Sequence, residues 1–236
     1  AITKKTRLVF LNSPSNPTGV AYSANELKEL AEVLLQHPQI LIVSDDIYEK
    51  ILWSKPFVNI LNVCPELYDR TIVINGVSKT YAMTGWRIGY AAGPQHLIAA
   101  MANIQSQSTS NPCSISQAAA EAALQGDPGY IANMVHAFKE RHDFVYSQLK
   151  QINGVEIEPA DGAFYLFPRV AKIFTHMKDI NDDIQFCQYL LEHGVALVPG
   201  TPFGAPGYVR LSTALNEKTL SEAIARIRQA VINAVA

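Results

Sequence analysis

ILIVSDDIYE, at residues 40–49, joins a short apolar run to three carboxylates and a tyrosine. The run at residues 40–44 and three similar runs, at residues 7–11, 71–75 and 88–92, are each predicted to form a buried strand. Between the first two runs, Ser23 and Glu26 have the spacing of a capping box at the start of a helical pattern. This alternation predicts an α/β fold, with a mainly parallel sheet that carries helices on both faces.

The second part of the chain has a different pattern. An alanine-rich segment at residues 116–124 and a long segment from Pro128 to about residue 152 predict helices. The elements predicted after Gly154 are strands at residues 155–158, 164–168, 195–198 and 208–212, and helices at residues 181–193 and from residue 217. We therefore predict a large domain at residues 1–150 and a smaller α+β domain at residues 151–236.

Composition and charge exclude several classes of protein. Of the 236 residues 48% are hydrophobic and 17% are charged, and the net charge is −2, which excludes a disordered chain. Because no basic run is longer than Lys4-Lys5 and no apolar stretch approaches the length of a membrane span, neither nucleic acid nor a membrane is expected as a partner. We expect a cytoplasmic protein. The spacing of the three cysteines favours neither a disulfide framework nor a zinc site.

Three polar clusters follow predicted strands, where open α/β sheets build their sites. The first, NSPSNPTG at residues 12–19, is a rigid turn that presents the amide of Asn16, unless this residue only caps the turn. In the second, Asp45 could hold a protonated heterocyclic nitrogen with Tyr48 on the same side. The alternatives are a solvated helix start and a magnesium site formed by Asp45, Asp46 and Glu49.

The third cluster, NGVSKTYAMTGWRIGY at residues 75–90, contains Lys79 and Arg87. A neutral lysine amine can form a Schiff base, and a nearby arginine can bind a phosphate through its planar fork. A solvated loop lysine is the alternative interpretation. The length of the patterned stretch favours a lysine that forms a Schiff base.

These residues resemble the class I/II pyridoxal-phosphate-dependent aminotransferases of fold type I. The third cluster resembles the cofactor-attachment signature of that family, and three further motifs follow the family order. These motifs are Asn16-Pro17-Thr18-Gly19, Asp45-x-x-Tyr48 and Tyr208-Val209-Arg210-Leu211-Ser212. The resemblance covers the chain and is closest to the bacterial aspartate aminotransferase branch. Because relatives carry a further segment before the first strand, we expect this chain to be a C-terminal portion.

The resemblance implies pyridoxal 5'-phosphate as cofactor and a ping-pong exchange of L-aspartate and 2-oxoglutarate for oxaloacetate and L-glutamate. Lys79 is the implied catalytic residue, which forms the Schiff base and moves the substrate proton. Asp45 would pair with the ring nitrogen. The implied cofactor-binding residues are Asn16, Asp45, Tyr48, Ser78, Lys79 and Arg87.

Arg210 is the implied ligand of the substrate α-carboxylate, together with Asn16. Two positions depart from the animal-type branch of the family. Gly76 replaces a phosphate-binding serine, and Ser106 lies where an arginine reads the distal carboxylate. The residue that reads the distal carboxylate is therefore expected upstream.

The resemblance also leaves other functions open. Aromatic, kynurenine and prephenate aminotransferases share the motifs, and carbon–sulfur lyases share most of them. A non-catalytic fragment or dimerisation module is the alternative from another class. The family implies a homodimer, with Asn111 near the interface.

Overall fold

The structure, a computed structural model, describes residues 1–174, 177 and 180–235. Residues 234 and 235 are described as backbone only. The chain divides into two compact units. The first unit contains Ala1–Pro14 and Ala21–Asn133, and the second contains Ser15–Val20 and Met134–Ala236. The division falls inside a long helix, whereas the predicted domain boundary near residue 150 lies after it and stays a prediction.

A four-stranded sheet forms the centre of the first unit. Its strands, in the order β1-β2-β3-β4, are Leu8–Asn12, Leu41–Asp45, Thr71–Gly76 and Gly89–Ala92. β1, β2 and β3 are parallel and β4 is antiparallel to β3. The predicted mainly parallel sheet is confirmed, and each of the four strands lies within one residue of its predicted bounds. The predicted burial is wrong for β4, which has no buried residue in the described structure, and for Leu8 and Phe10 of β1, which are exposed.

The connections of the first unit are largely helical. The helices are α1 at Ala24–Leu35, α2 at Ile60–Val63, α3 at Gln95–Ser108, α4 at Ser114–Gln125 and α5 at Gly129–Leu149, the last of which continues into the second unit. The predicted capping box is present at the start of α1, where Ser23 Oγ accepts from Glu26 N and Glu26 Oε2 accepts from Ser23 N. The buried face of α1 packs on the fully buried Ile40 and Ile42 of the sheet layer. α3 has no counterpart in the sequence predictions.

The second unit has a three-stranded antiparallel sheet in the order β5-β7-β6. Its elements are β5 at Tyr165–Leu166, α6 at Ala171–Phe174, α7 at Asp183–Glu192, β6 at Val198–Pro199, β7 at Val209–Ser212 and α8 at Glu217–Val235. The sheet and helices enclose an apolar core that includes the fully buried Leu166, Phe186 and Leu190. This core agrees with the predicted α+β character.

The strand predicted at residues 155–158 is wrong. Only Glu156 pairs, in an isolated antiparallel bridge with Arg169. Pro159 follows this segment and has no backbone N–H to donate, so a longer ladder is not favoured here. The strand predicted at residues 195–198 begins only at Val198 and ends at Pro199.

Within the described part of the chain, no helix has the length and apolarity that a membrane span requires.

Candidate active site

One edge of the four-stranded sheet collects most of the predicted site residues. The carboxyl ends of the parallel strands β1, β2 and β3 share this edge, with Asn12 opposite Asp45 and Asp45 opposite Ile74. Because β4 is antiparallel and pairs Gly76 with Gly89, its amino end lies at the same edge. Asp45 ends β2, Lys79 lies three residues after β3, and Arg87 lies two residues before β4. This edge is where open α/β sheets bind ligands.

Asp45 is a half-buried carboxylate with few partners for its charge. Its Oδ1 accepts from the Ile47 N–H at 3.2 Å, and its backbone carbonyl accepts from Asn12 Nδ2 at 3.1 Å. Burial raises the pKa of Asp45, and the Ile47 N–H only partly offsets this effect. A cationic ring nitrogen placed against the carboxylate would favour its charged form. The site therefore suits a protonated heterocycle.

Asp46, the next residue, has a different environment. It is buried, and its carboxylate accepts from Ser44 Oγ and from Asn59 Nδ2, both at 2.7 Å. Burial raises the pKa of Asp46, while the Ser44 and Asn59 hydrogen bonds lower it. This residue therefore connects the end of β2 to the start of α2 through hydrogen bonds.

Among the described residues, no group of three or more His, Cys, Asp or Glu side chains could hold a metal ion.

The loop between β3 and β4 carries the half-buried Lys79 and the exposed Arg87. It is anchored by the buried Val77 and Ile88, which pack together with Ala120 of α4. Within it, Ala82 and Arg87 have left-handed backbones, with φ of 52° and 55°. Non-glycine residues in this region cost energy and are concentrated at functional sites, so the loop conformation itself points to a site.

Gly76 at the end of β3 is explained by close packing. A Cβ there would lie 2.9 Å from the Ile88 carbonyl oxygen and 3.2 Å from Gly89 Cα, both backbone atoms. The glycine thus lets β3 and β4 approach each other where the lysine loop begins.

Of the other predicted residues, Tyr48 is only 3% exposed and lies in the turn after β2, and Ser78 is half-buried beside Lys79.

The second unit holds the remaining two predicted residues, Arg210 and Asn16, in direct contact. Arg210, on β7, donates from Nη1 to Asn16 Oδ1 at 2.8 Å. Its guanidinium carbon lies 4.7 Å from the ring centroid of Tyr165 and 5.3 Å from that of Phe203. Cation–π contacts of this kind hold a guanidinium in one orientation. Neither Tyr165 nor Phe203 was predicted from the sequence, because both meet Arg210 only through tertiary contacts.

Asp183 holds the turn that carries Phe203. This fully buried carboxylate at the start of α7 accepts from the backbone N–H of Thr201, from Thr201 Oγ1 and from the Gly207 N–H, at 2.7, 2.8 and 3.0 Å. Burial would raise the pKa of Asp183, but these donors from Gly207 and Thr201 outweigh it, and the pKa is lowered. Asp183 was not predicted because its donors lie in a distant turn.

We expect Asp183→Asn to destabilise the protein by about 2–3 kcal/mol, because an amide group places its own donor against two backbone N–H groups. A depressed pKa means that the stability contributed by Asp183 is complete above its ordinary value of 3.8 and is lost as the pH falls further. Urea unfolding at pH 7 and at pH 3 measures both effects. Glu222→Gln, an exposed carboxyl-to-amide change on α8, is the control. Equal stability of Asp183→Asn and the native protein would contradict this role.

Comparison with known proteins defines the family. The model of the class I and II aminotransferases matches residues 1–227. The chain therefore belongs to this family, and the predicted resemblance is confirmed. Members of the family use pyridoxal phosphate. The sheet edge of the first unit fits this group. It presents the Asp45 carboxylate, whose burial is only partly offset by the Ile47 N–H, together with Lys79 and Arg87.

Individual relatives agree with the family assignment. The chain is 53% identical over 234 residues to an aspartate/prephenate aminotransferase from Nitrosomonas europaea, with 96% of this chain and 59% of the relative covered. It superimposes on aspartate aminotransferase from Rhizobium meliloti with a TM-score of 0.94 and 47% identity, covering 98% of this chain and 59% of that one. For the Thermus thermophilus aspartate aminotransferase with maleate, the TM-score is 0.88 at 37% identity, with 98% and 58% covered. The chain thus spans about three-fifths of the length of these relatives.

Proposed function

We propose that the protein containing this chain is a pyridoxal-phosphate-dependent aminotransferase. It transfers the amino group of L-aspartate to 2-oxoglutarate and yields oxaloacetate and L-glutamate. The observation that carries the proposal is the arrival of Asp45, Lys79 and Arg87 at one edge of the sheet. The names of the relatives, aspartate or aspartate/prephenate aminotransferase, support the substrate assignment.

The residues of the first unit would hold the cofactor and move the proton. When bound, pyridoxal phosphate supplies an electron sink for the charge that is left when a bond to the substrate α-carbon breaks. The Asp45 carboxylate would keep a proton on the ring nitrogen. Arg87 would bind the phosphate with its planar fork, and Ser78 would offer a further hydroxyl donor. Tyr48 would donate a hydrogen bond from its hydroxyl group to the phenolic oxygen of the ring.

Lys79 has two tasks in this proposal. Its Nζ would hold the cofactor covalently, and the same nitrogen, when it is not engaged in that link, would accept the proton from the substrate α-carbon. The left-handed backbones of Ala82 and Arg87 hold the loop that presents this amine. A flexible loop would not keep the nitrogen within proton-transfer reach.

Arg210 and Asn16, in the second unit, would hold the substrate. The guanidinium clamps the α-carboxylate through two parallel N–H groups, a geometry that a lysine cannot reproduce. Asn16 Oδ1 and the rings of Tyr165 and Phe203 fix its orientation. We assign the Asn16 amide nitrogen to the phenolic oxygen of the cofactor, as the family motif implies.

Arg210→Lys should raise the KM for aspartate about 30-fold, because one point charge replaces a bidentate clamp and leaves Asn16 and two aromatic faces without their partner. The affinity for pyridoxal phosphate should stay within about twofold, since the change replaces none of the assigned cofactor-binding residues and removes only the hydrogen-bond partner of Asn16. Steady-state kinetics and cofactor titration measure both quantities. Arg226→Lys, a change on α8 at an arginine that donates to the Gly194 carbonyl, is the control. An unchanged KM would remove Arg210 from the substrate site.

Prephenate is a second candidate substrate, because several relatives are named aspartate/prephenate aminotransferase. The test is a profile of the natural protein that contains this sequence, loaded with cofactor, against amino donors and 2-oxo acceptors. Transfer from aspartate supports the proposal, and additional transfer to prephenate supports the dual specificity. Activity confined to aromatic amino acids or kynurenine, or carbon–sulfur cleavage, would assign the chain to another branch. No transfer with any donor would favour a non-catalytic module.

We also propose that this protein is a cytoplasmic homodimer, with Asn111 near the subunit interface. Asn111 is exposed in the described structure. Sedimentation equilibrium of the natural protein tests the assembly state. A monomer at all concentrations would contradict this part of the proposal.

A further inference from the structure

His142 is a buried histidine in α5 whose two ring nitrogens have different partners. The side chain is 3% exposed, and its Nε2 lies 2.9 Å from the backbone nitrogen of Ala160. Because a backbone N–H can only donate, Nε2 must be the unprotonated acceptor. The ring proton is then on Nδ1, which donates to Asp143 Oδ1 at 2.9 Å. The ring is thereby held at both nitrogens.

Residues 160–162 form a short backbone clamp, which holds the turn that contains Asn16. The N–H groups of Asp161 and Gly162 both donate to the carbonyl oxygen of Gly19, at 3.0 and 2.9 Å. The approach is so close that a Cβ at Gly19 would lie 2.6 Å from Ala160 Cβ, and Gly19 itself has a φ of +69°. The clamp therefore requires both the glycine and a fixed position of Ala160.

The clamped turn is closed on itself and leads directly to the substrate residues. Gly19 N donates to the Ser15 carbonyl at 2.7 Å, and Ser15 N donates to the Val20 carbonyl at 2.9 Å. Asn16 lies inside this turn and accepts from Arg210 at 2.8 Å. A displacement of Ala160 would therefore be passed through Gly19 to the partner of Arg210.

We propose that His142 is a positioning residue for the substrate carboxylate site. It holds Ala160, and through Ala160 the Gly19 turn, so that Asn16 keeps the Arg210 guanidinium in its binding orientation. The inference rests on the proposed function of Arg210 and adds a residue that touches neither substrate nor cofactor. All of these contacts lie within the second unit.

The test compares His142→Phe, which keeps a ring but has no acceptor, with His142→Gln, which can still accept from Ala160 N. Both are made in the natural protein that contains this sequence, loaded with pyridoxal phosphate. His142→Phe should raise the KM for aspartate about tenfold, equivalent to about 1.4 kcal/mol. The cofactor affinity should change less than the KM, because Asp45, Lys79 and Arg87 still hold the cofactor. His142→Gln should restore the KM to within about threefold of the native value. The matched controls are His136→Phe and His136→Gln, at an exposed histidine of the same helix that pairs with Glu140.

Hydrogen exchange gives a second readout that does not depend on activity. The Asp161 and Gly162 amides should exchange faster in His142→Phe and at the native rate in His142→Gln. If His142→Phe yields too little folded protein, His142→Leu serves in the same assays with the same expectation. An unchanged KM, or unchanged exchange at both amides, overturns the inference. If the native protein transfers no amino group, the proposed function fails, and the exchange data still decide whether His142 holds the turn.

Discussion

Lys79→Ala is expected to abolish amino transfer, with a loss of roughly 10⁴-fold or more in kcat/KM. The proposed reaction uses this one nitrogen both to attach the cofactor and to carry the substrate proton, so no neighbouring group replaces it. The free energy of unfolding should change by less than about 1 kcal/mol, because Lys79 is a half-buried loop residue outside the described apolar core clusters. Coupled kinetics and urea unfolding of the natural protein measure the two quantities.

Lys28→Ala is the matched control, since Lys28 is an exposed lysine of α1. It should have native kinetics. Substantial turnover by Lys79→Ala would contradict the mechanism. Equal losses of activity in the two variants would show that the effect is not specific to the site.

Asp45→Asn should lower kcat/KM by roughly 10²–10³-fold and weaken the binding of pyridoxal phosphate. Burial raises the pKa of Asp45, and a cationic nitrogen against the carboxylate compensates that burial. The amide cannot keep a proton on the ring nitrogen, so the electron-accepting capacity of the cofactor falls. Cofactor titration followed by absorbance, together with steady-state kinetics, separates affinity from rate.

The control for Asp45→Asn is Asp69→Asn, which makes the same change at an exposed carboxylate of the first unit. Its kinetics should be native. If Asp45→Asn binds the cofactor and turns over at the native rate, Asp45 does not belong to the site. The neighbouring Asp46 does not take over this task, because its carboxylate is engaged by Ser44 and Asn59.

The fold of the first unit was largely predictable because its four strands appear in the sequence as short, continuous apolar runs. Their burial was not predictable in the same way, since Leu8 and Phe10 of β1 are exposed and β4 has no buried residue in the described structure. The direction of β4 was not predictable, since the run at residues 88–92 contains no signal of orientation. α3 was missed for a related reason. None of its residues is buried in the described structure, and no division into apolar and polar faces marks it as a helix.

The chemistry of the candidate site was predictable where motifs are local. Asp45, Lys79 and Arg87 each lie beside a recognisable strand end, so residue type and position were visible together. The supporting residues were not, because they meet their partners only through tertiary contacts. His142 contacts Ala160 across 18 positions, and Asp183 contacts Gly207 across 24. No spacing pattern in the sequence reports such pairs.

The central claim is that Lys79 forms the covalent link to pyridoxal phosphate. The most direct measurement is borohydride reduction of the natural protein mixed with pyridoxal phosphate, followed by peptide mapping with mass spectrometry. We predict a single phosphopyridoxyl adduct, on Lys79, with no comparable labelling of exposed lysines such as Lys28. The absence of an adduct, or labelling scattered over many lysines, would contradict the account.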